Sequence, residues 1–171
     1  MISENLLELS GILALLGFGA FYIGVYNNAQ RILNLIPEVA SNIQVLTRKR
    51  TDLISKLIAI VDSYGLHERG VDTTVAREFG GSTNPGSLGG VVQRLASLRM
   101  SFPELRADGL YASLMQELAL VESDIAKKRE RYNATVRSFN TLISQFPINL
   151  LLLPFGYQPK PFLSEQDFSA P

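Results

Sequence analysis

The sequence predicts an all-α protein: a single N-terminal transmembrane helix continuing into an antiparallel bundle of long helices, with an extended, Pro-rich C-terminal tail. Three observations predict it. No charged residue lies between Glu8 and Arg31. Two long stretches repeat apolar residues at three- and four-residue steps, the signature of a helix that buries one face. Pro147, Pro154, Pro159, Pro161 and Pro171 all fall at the C-terminal end, where they forbid a further long helix. The expected divisions are residues 1–28 for the N-terminal segment and membrane helix, 29–147 for the cytoplasmic bundle, and 148–171 for a tail packed on it.

The membrane helix is the apolar block Leu9–Tyr26, LSGILALLGFGAFYIGVY. At ~1.5 Å rise per residue it reaches about 27 Å, enough for a hydrocarbon core with little tilt. Phe21, Tyr22 and Tyr26 gather at its C-terminal end, where amphipathic rings favour the headgroup boundary. A cleaved signal peptide is the rival reading, but Glu4 and Glu8 stand where a Lys/Arg-rich start would be required. Arg31, then Arg48, Lys49 and Arg50, follow the span, so the positive-inside rule puts the N-terminus outside and the C-terminal domain in the cytoplasm. Ala20 and Gly24, four residues apart, form a small-residue face on which two such helices could approach, although glycine is also simply common in membrane helices.

Beyond the span, Ile43, Leu46, Arg50, Leu53, Leu57, Ile60 and Tyr64 make one stripe. Pro37 removes the amide that would bond the Leu33 carbonyl, so the helix is expected to kink or restart there. A short helix is expected over Arg69–Phe79. The segment Gly80–Gly90, GGSTNPGSLGG, reads as a flexible loop, and without an adjacent Lys it cannot be a phosphate-cradling P-loop. A further helix follows from about Leu88 to Met100, and Pro103 turns Phe102 out of helical geometry. The longest helix is expected over Asp108–Gln145. Its near-heptad seam is Leu114, Leu118, Val121, Ile125, Tyr132, Val136, Phe139, Ile143 and Phe146. Ile148–Phe155, INLLLLPF, is too short to span a bilayer. It reads as core cover for the bundle, with an interfacial membrane contact as the sharper alternative.

Composition narrows the function. A length of 171 residues allows about one core. Sixteen Lys+Arg against 16 Asp+Glu give a net charge of zero, which argues against a nucleic-acid binder held by phosphate neutralisation. With no Cys and one His, thiol chemistry, disulfides and multi-histidine metal centres are excluded. His67-Glu68 cannot open an H-E-x-x-H zinc motif, because Val71 stands where the second His is needed. No nucleophile–base pair assembles either, so neither an enzyme nor a cofactor is expected.

What remains are interaction candidates. Arg48, Lys49 and Arg50, with Lys127, Lys128, Arg129 and Arg131, could make a basic stripe for an acidic partner. The simpler reading is a solvated face laced by pairs such as Asp124–Lys128. Asn133 and Asn140 recur at a heptad interval beside Tyr132 and Phe139. They could fix register or oligomer state, or simply hydrogen-bond a neighbouring helix.

An ordered series of short pieces then gives a resemblance. Tyr26-Asn27, Arg48-Lys49-Arg50 with Asp52-Leu53-Ile54, Tyr64 with His67-Glu68, and Ala76-Arg77 come first. Phe102-Pro103-Glu104-Leu105-Arg106-Ala107 and Gln116-Glu117-Leu118 follow. Glu122, Ile125-Ala126, Arg129, Tyr132-Asn133, Phe139-Asn140, Phe146-Pro147 and Gly156-Tyr157 close it. In this order the chain resembles the LemA family of bacterial membrane proteins from Tyr26 onward. It departs at Ala40 and Gln44, where the family has Trp and Asp, and in the Gly80–Gly90 segment. The resemblance implies a single-pass protein of the bacterial inner membrane, or an internal membrane derived from it, with a helical cytoplasmic domain and no established enzymatic activity. The expected role is a scaffold or adaptor, held in the bilayer by residues 9–26 and acting through copies of itself or another membrane protein. The alternative is membrane remodelling or organelle biogenesis, since the family's MamQ-like members are associated with forming the magnetosome membrane.

Overall fold

A computed structural model describes the backbone of residues 2–64 and 85–164, and the side chains of these except at 2–7, 85–89 and 153. His67, the expected helix Arg69–Phe79 and the first part of the Gly80–Gly90 segment lie outside the described residues. Every element among the described residues is helical: α1 (Ile2–Ser63), α2 (Pro85–Ser101), α3 (Pro103–Ala107), α4 (Gly109–Ser144), α5 (Ile148–Leu152) and a 3₁₀ turn (Leu153–Phe155).

Helix α1 runs through Pro37 without restarting. The sequence alone left a kink or a fresh start open; the flanking turns carry the helix across the one missing donor. Past Pro37, Thr47, Thr51 and Ser55 each return a hydroxyl hydrogen bond to the carbonyl four residues back, at 2.9, 3.1 and 3.0 Å. Three polar side chains thereby spend their donors on their own helix.

The chain divides into two compact units, and both α1 and α4 contribute to each. The unit formed by residues 39–131 and 163–171 holds a core of Leu53, Ile54, Leu57 and Val61 from α1, Val91, Leu95 and Leu98 from α2, Leu105 from α3, and Tyr111, Leu118, Val121 and Ile125 from α4. The predicted stripes thus face inward over most of their length. Tyr111 buries its ring completely in this core, and its hydroxyl donates to the Leu95 carbonyl at 2.8 Å. Burial pushes that hydroxyl up to about 12.

The corner between α3 and α4 is built on one carboxylate. Pro103 holds Phe102 extended at φ −117°, as the sequence requires, and α3 starts immediately after it. Asp108 then ends α3 through its own N–H to the Glu104 carbonyl. It starts α4 by accepting the Leu110 and Tyr111 amides on Oδ1, at 2.8 and 2.9 Å. Its Oδ2 accepts the Tyr64 hydroxyl at 2.9 Å. The Tyr111 amide first, then the Tyr64 hydroxyl, hold the Asp108 carboxyl below the usual carboxylate range.

The other unit comprises residues 1–38 and 132–162. Its small core sets Val25 and Ala29 of α1 with Leu152 of α5, with Leu142, Ile143, Ile148 and Tyr157 packed around them.

Three expectations are corrected. Pro85–Ser87, read as loop ahead of a helix from about Leu88, is the first part of α2: a proline at the first helical position has no need of the amide it lacks. Phe146, placed on the buried seam, is exposed, because α4 stops at Ser144. The tail, read as extended from Ile148, opens instead with α5 and the 3₁₀ turn, since Pro147 and Pro154 bracket a run just long enough for helical turns. Irregular chain begins only at Tyr157.

Candidate functional site

The apolar block of α1 faces outward. Leu15 is 73% exposed and Leu16 65%, so this is no core helix of a water-soluble domain. Its length and composition suffice to cross a membrane. Ala20 and Gly24 lie exposed on it, and a Cβ added at Gly24 would meet nothing within 4 Å. The small-residue face is therefore open.

At the C-terminal end of that block an aromatic and polar cluster forms within the smaller unit. The Phe155 ring lies 6.3 Å from both Tyr22 and Tyr26. The Tyr157 ring lies 6.2 Å from that of Phe139. Gln30 donates from Nε2 to the Tyr157 hydroxyl at 2.7 Å and to the Tyr26 hydroxyl at 3.3 Å, so one amide joins the first turn past the span to the tail. Burial is the main cause raising the Tyr157 hydroxyl above its ordinary value. Gly156 makes the approach: at φ +74° it adopts the left-handed backbone that a side chain would strain. An open cleft of about 380 Å³ adjoins the cluster, lined by Tyr26, Gln30, Phe155, Tyr157 and Lys160 among others.

The basic triplet is split by its helix. Arg48 is exposed and Lys49 pairs at 2.7 Å with Glu117. Arg50 is only 8% exposed and sets Nη1 3.4 Å from Glu122, while its buried Nε has no partner. Arg50 thus belongs to the interior, and only its two neighbours present charge outward. On α4, Asp124 pairs with Lys127 at 3.5 Å, in place of the expected Asp124–Lys128 pair, and Arg129 donates to the Ser164 carbonyl at 2.8 Å.

Asn133 is half-buried on α4. Asn140 does not bond a neighbouring helix: Nδ2 donates to the Lys160 carbonyl at 2.9 Å and Oδ1 accepts the Lys160 amide at 2.8 Å. The structure therefore does not gather the sequence candidates into one site. It assembles one from Gln30, Phe155, Tyr157 and Lys160, which periodicity does not single out. The available signals were a lone Gln just past the span and the Gly156-Tyr157 pair. No grouping of three or more His, Cys, Asp or Glu side chains able to hold a metal occurs among the described residues.

The model of the LemA family matches residues 39–170. Magnetosome protein MamQ of Magnetospirillum gryphiswaldense is 27% identical over 81 residues, covering 47% of this chain and 30% of that protein. Magnetosome protein MamQ 2 of Paramagnetospirillum magneticum is 28% identical over the same length, with the same coverage. The match thus spans less than a third of each relative.

Proposed function

The chain belongs to the LemA family, and from that premise we propose that it is a non-enzymatic, single-pass membrane scaffold or adaptor. The observation that carries this reading is α1. One uninterrupted helix presents an exposed apolar block at its start and, past Pro37, contributes Leu53, Ile54, Leu57 and Val61 to a packed core. Such a helix joins an anchor to a folded domain with no linker between them.

We read α1 and α4 as the antiparallel pair of a helical bundle. Arg50 meeting Glu122, and Tyr64 meeting Asp108, support that, since numbers rise along one helix as they fall along the other. The charge asymmetry around the span favours an outside N-terminus and a cytoplasmic domain. The membrane is the bacterial inner membrane or one derived from it. The partners are further copies of the chain, through the open Ala20–Gly24 face, or another membrane protein; neither nucleic acid nor a cofactor enters this reading.

Natural absence of Cys makes the test direct. Single thiols at Ala20 and Arg48 are cross-linked in native membranes and the products identified by mass spectrometry. Links between copies support a self-assembling scaffold and links to one other membrane protein support an adaptor. Products no different from those of the Cys-free chain overturn both. Similarity to the MamQ proteins favours a second reading, membrane remodelling in organelle biogenesis. Under it, the reconstituted chain reshapes vesicles with no partner present, which a scaffold alone does not do.

A further inference from the structure

The anchor of this chain has a companion in the tail segment that sequence alone reads first as core cover for the bundle. Within the smaller unit, α5 and the 3₁₀ turn lie against α1 where the apolar block ends: Leu152 is buried with Val25 and Ala29, and the Phe155 ring stands between Tyr22 and Tyr26. The inner side of this segment is thereby satisfied. Its outer side is not. Leu150 is 67% exposed and Phe155 57%, and Phe146 and Phe162 on either side of them are also exposed.

A water-facing surface of this kind is costly in a soluble protein. Here it adjoins the part of α1 read as membrane-spanning, at the level of the tyrosines that mark a headgroup boundary. The nearby charges suit that level too. Arg31 is exposed five residues, about 7.5 Å, beyond Tyr26, and no acidic residue lies between Glu8 and Glu38. Lys160 borders the cleft beside Tyr26 and Gln30. Cations just above an aromatic and aliphatic layer match anionic headgroups above acyl chains.

We propose that Ile148–Phe155 is an interfacial foot: its Leu152 side grips the anchor, and its Leu150 and Phe155 side beds into the lipid surface, with Arg31 and Lys160 among the headgroups. The proposal rests on the anchor reading of α1 and extends the membrane contact from one helix to two segments. The foot would fix the rotation and depth of the anchor, which an isolated transmembrane helix leaves free.

The test uses the full chain reconstituted in vesicles of phosphatidylcholine and phosphatidylglycerol. A nitroxide is attached in turn to a single Cys at Leu150, Phe155, Leu16 and the exposed Gln44. Relaxation by oxygen, which concentrates in lipid, is compared with relaxation by a water-soluble nickel chelate. The expected oxygen-to-nickel ratio at Leu150 and Phe155 lies between the two references and several-fold above that at Gln44. A ratio equal to Gln44 while Leu16 reads as lipid overturns the foot and leaves the anchor standing. Low accessibility to both reagents at Leu150 means that protein covers this face, and overturns it as well. An aqueous ratio at Leu16 overturns the anchor and the foot together. Leu150 lies outside the core, so its label disturbs no packing on which the fold depends.

Discussion

Asn140 and Lys160 close a two-way clasp: the side-chain amide of one both donates to and accepts from the backbone of the other, at 2.9 and 2.8 Å. An amide side chain matches a peptide group in both senses, so Asn suits this position in a way that Asp or Leu cannot. The clasp holds the chain just after Tyr157, and so holds the ring that meets Gln30.

Asn140→Ala should therefore free the tail without unfolding the helices. Two hydrogen bonds on a partly exposed residue are worth about 1–2 kcal/mol together. Hydrogen exchange should rise at the amides around Lys160 while α4 amides keep their protection. Asn140→Asp, which keeps the acceptor and loses the donor, should fall between.

Arg50 offers a sharper energetic test, being a buried cation with a long contact to its carboxylate and an unmet Nε. Glu122→Ala strands the charge and should cost about 1–2 kcal/mol, a modest figure because Glu122 keeps contact with water. Replacing both, Arg50→Met with Glu122→Leu, should cost less than Glu122→Ala alone. Denaturant midpoints of the two variants, each set against the unsubstituted chain, decide it.

Leu53 is almost fully buried in the larger core, so Leu53→Asp buries an unpaired charge and should cost more than about 4 kcal/mol. The helical signal of that unit should collapse. Val45→Asp, on an exposed position of the same helix, should change stability by under about 0.5 kcal/mol.

Tyr111 predicts an alkaline signature. Its folded hydroxyl titrates near 12, above the ordinary 10. Between those values the unfolded chain has released the proton and the folded chain still holds it, so unfolding becomes easier as pH rises through this window. Below pH ~10 the contribution is fully present. Tyr111→Phe should flatten that part of the stability profile and, through the lost bond to Leu95, cost about 1–2 kcal/mol at neutral pH.

What could be read from sequence follows from which interactions leave a periodic trace. The span stands out by composition, and α4 departs from its expected ends by one residue each because its apolar seam recurs over about eight turns. Tyr111 sits three residues before Leu114, outside the seam that the periodicity marks, yet it is fully buried. Pro85 reads as punctuation in a Gly-rich run, when only a proline's place within a helix decides whether it stops or starts one. Asn140 was noticed for its spacing, but its partner is a backbone twenty residues away, and backbone groups leave no mark in a sequence. The membrane-exit cluster was legible only as disconnected aromatics, because it joins the two ends of the chain.

That joining also sets an order of events during synthesis. Gln30 precedes Tyr157 by 127 residues. At translation rates of ~5–20 residues per second, the first helix is made roughly 6–25 s before its companion strand of chain exists. During that interval the flank of Val25 and Ala29 stands bare, and a ribosome stalled before Leu152 would leave it so. The helix translated earlier is thus completed only once the later segment exists.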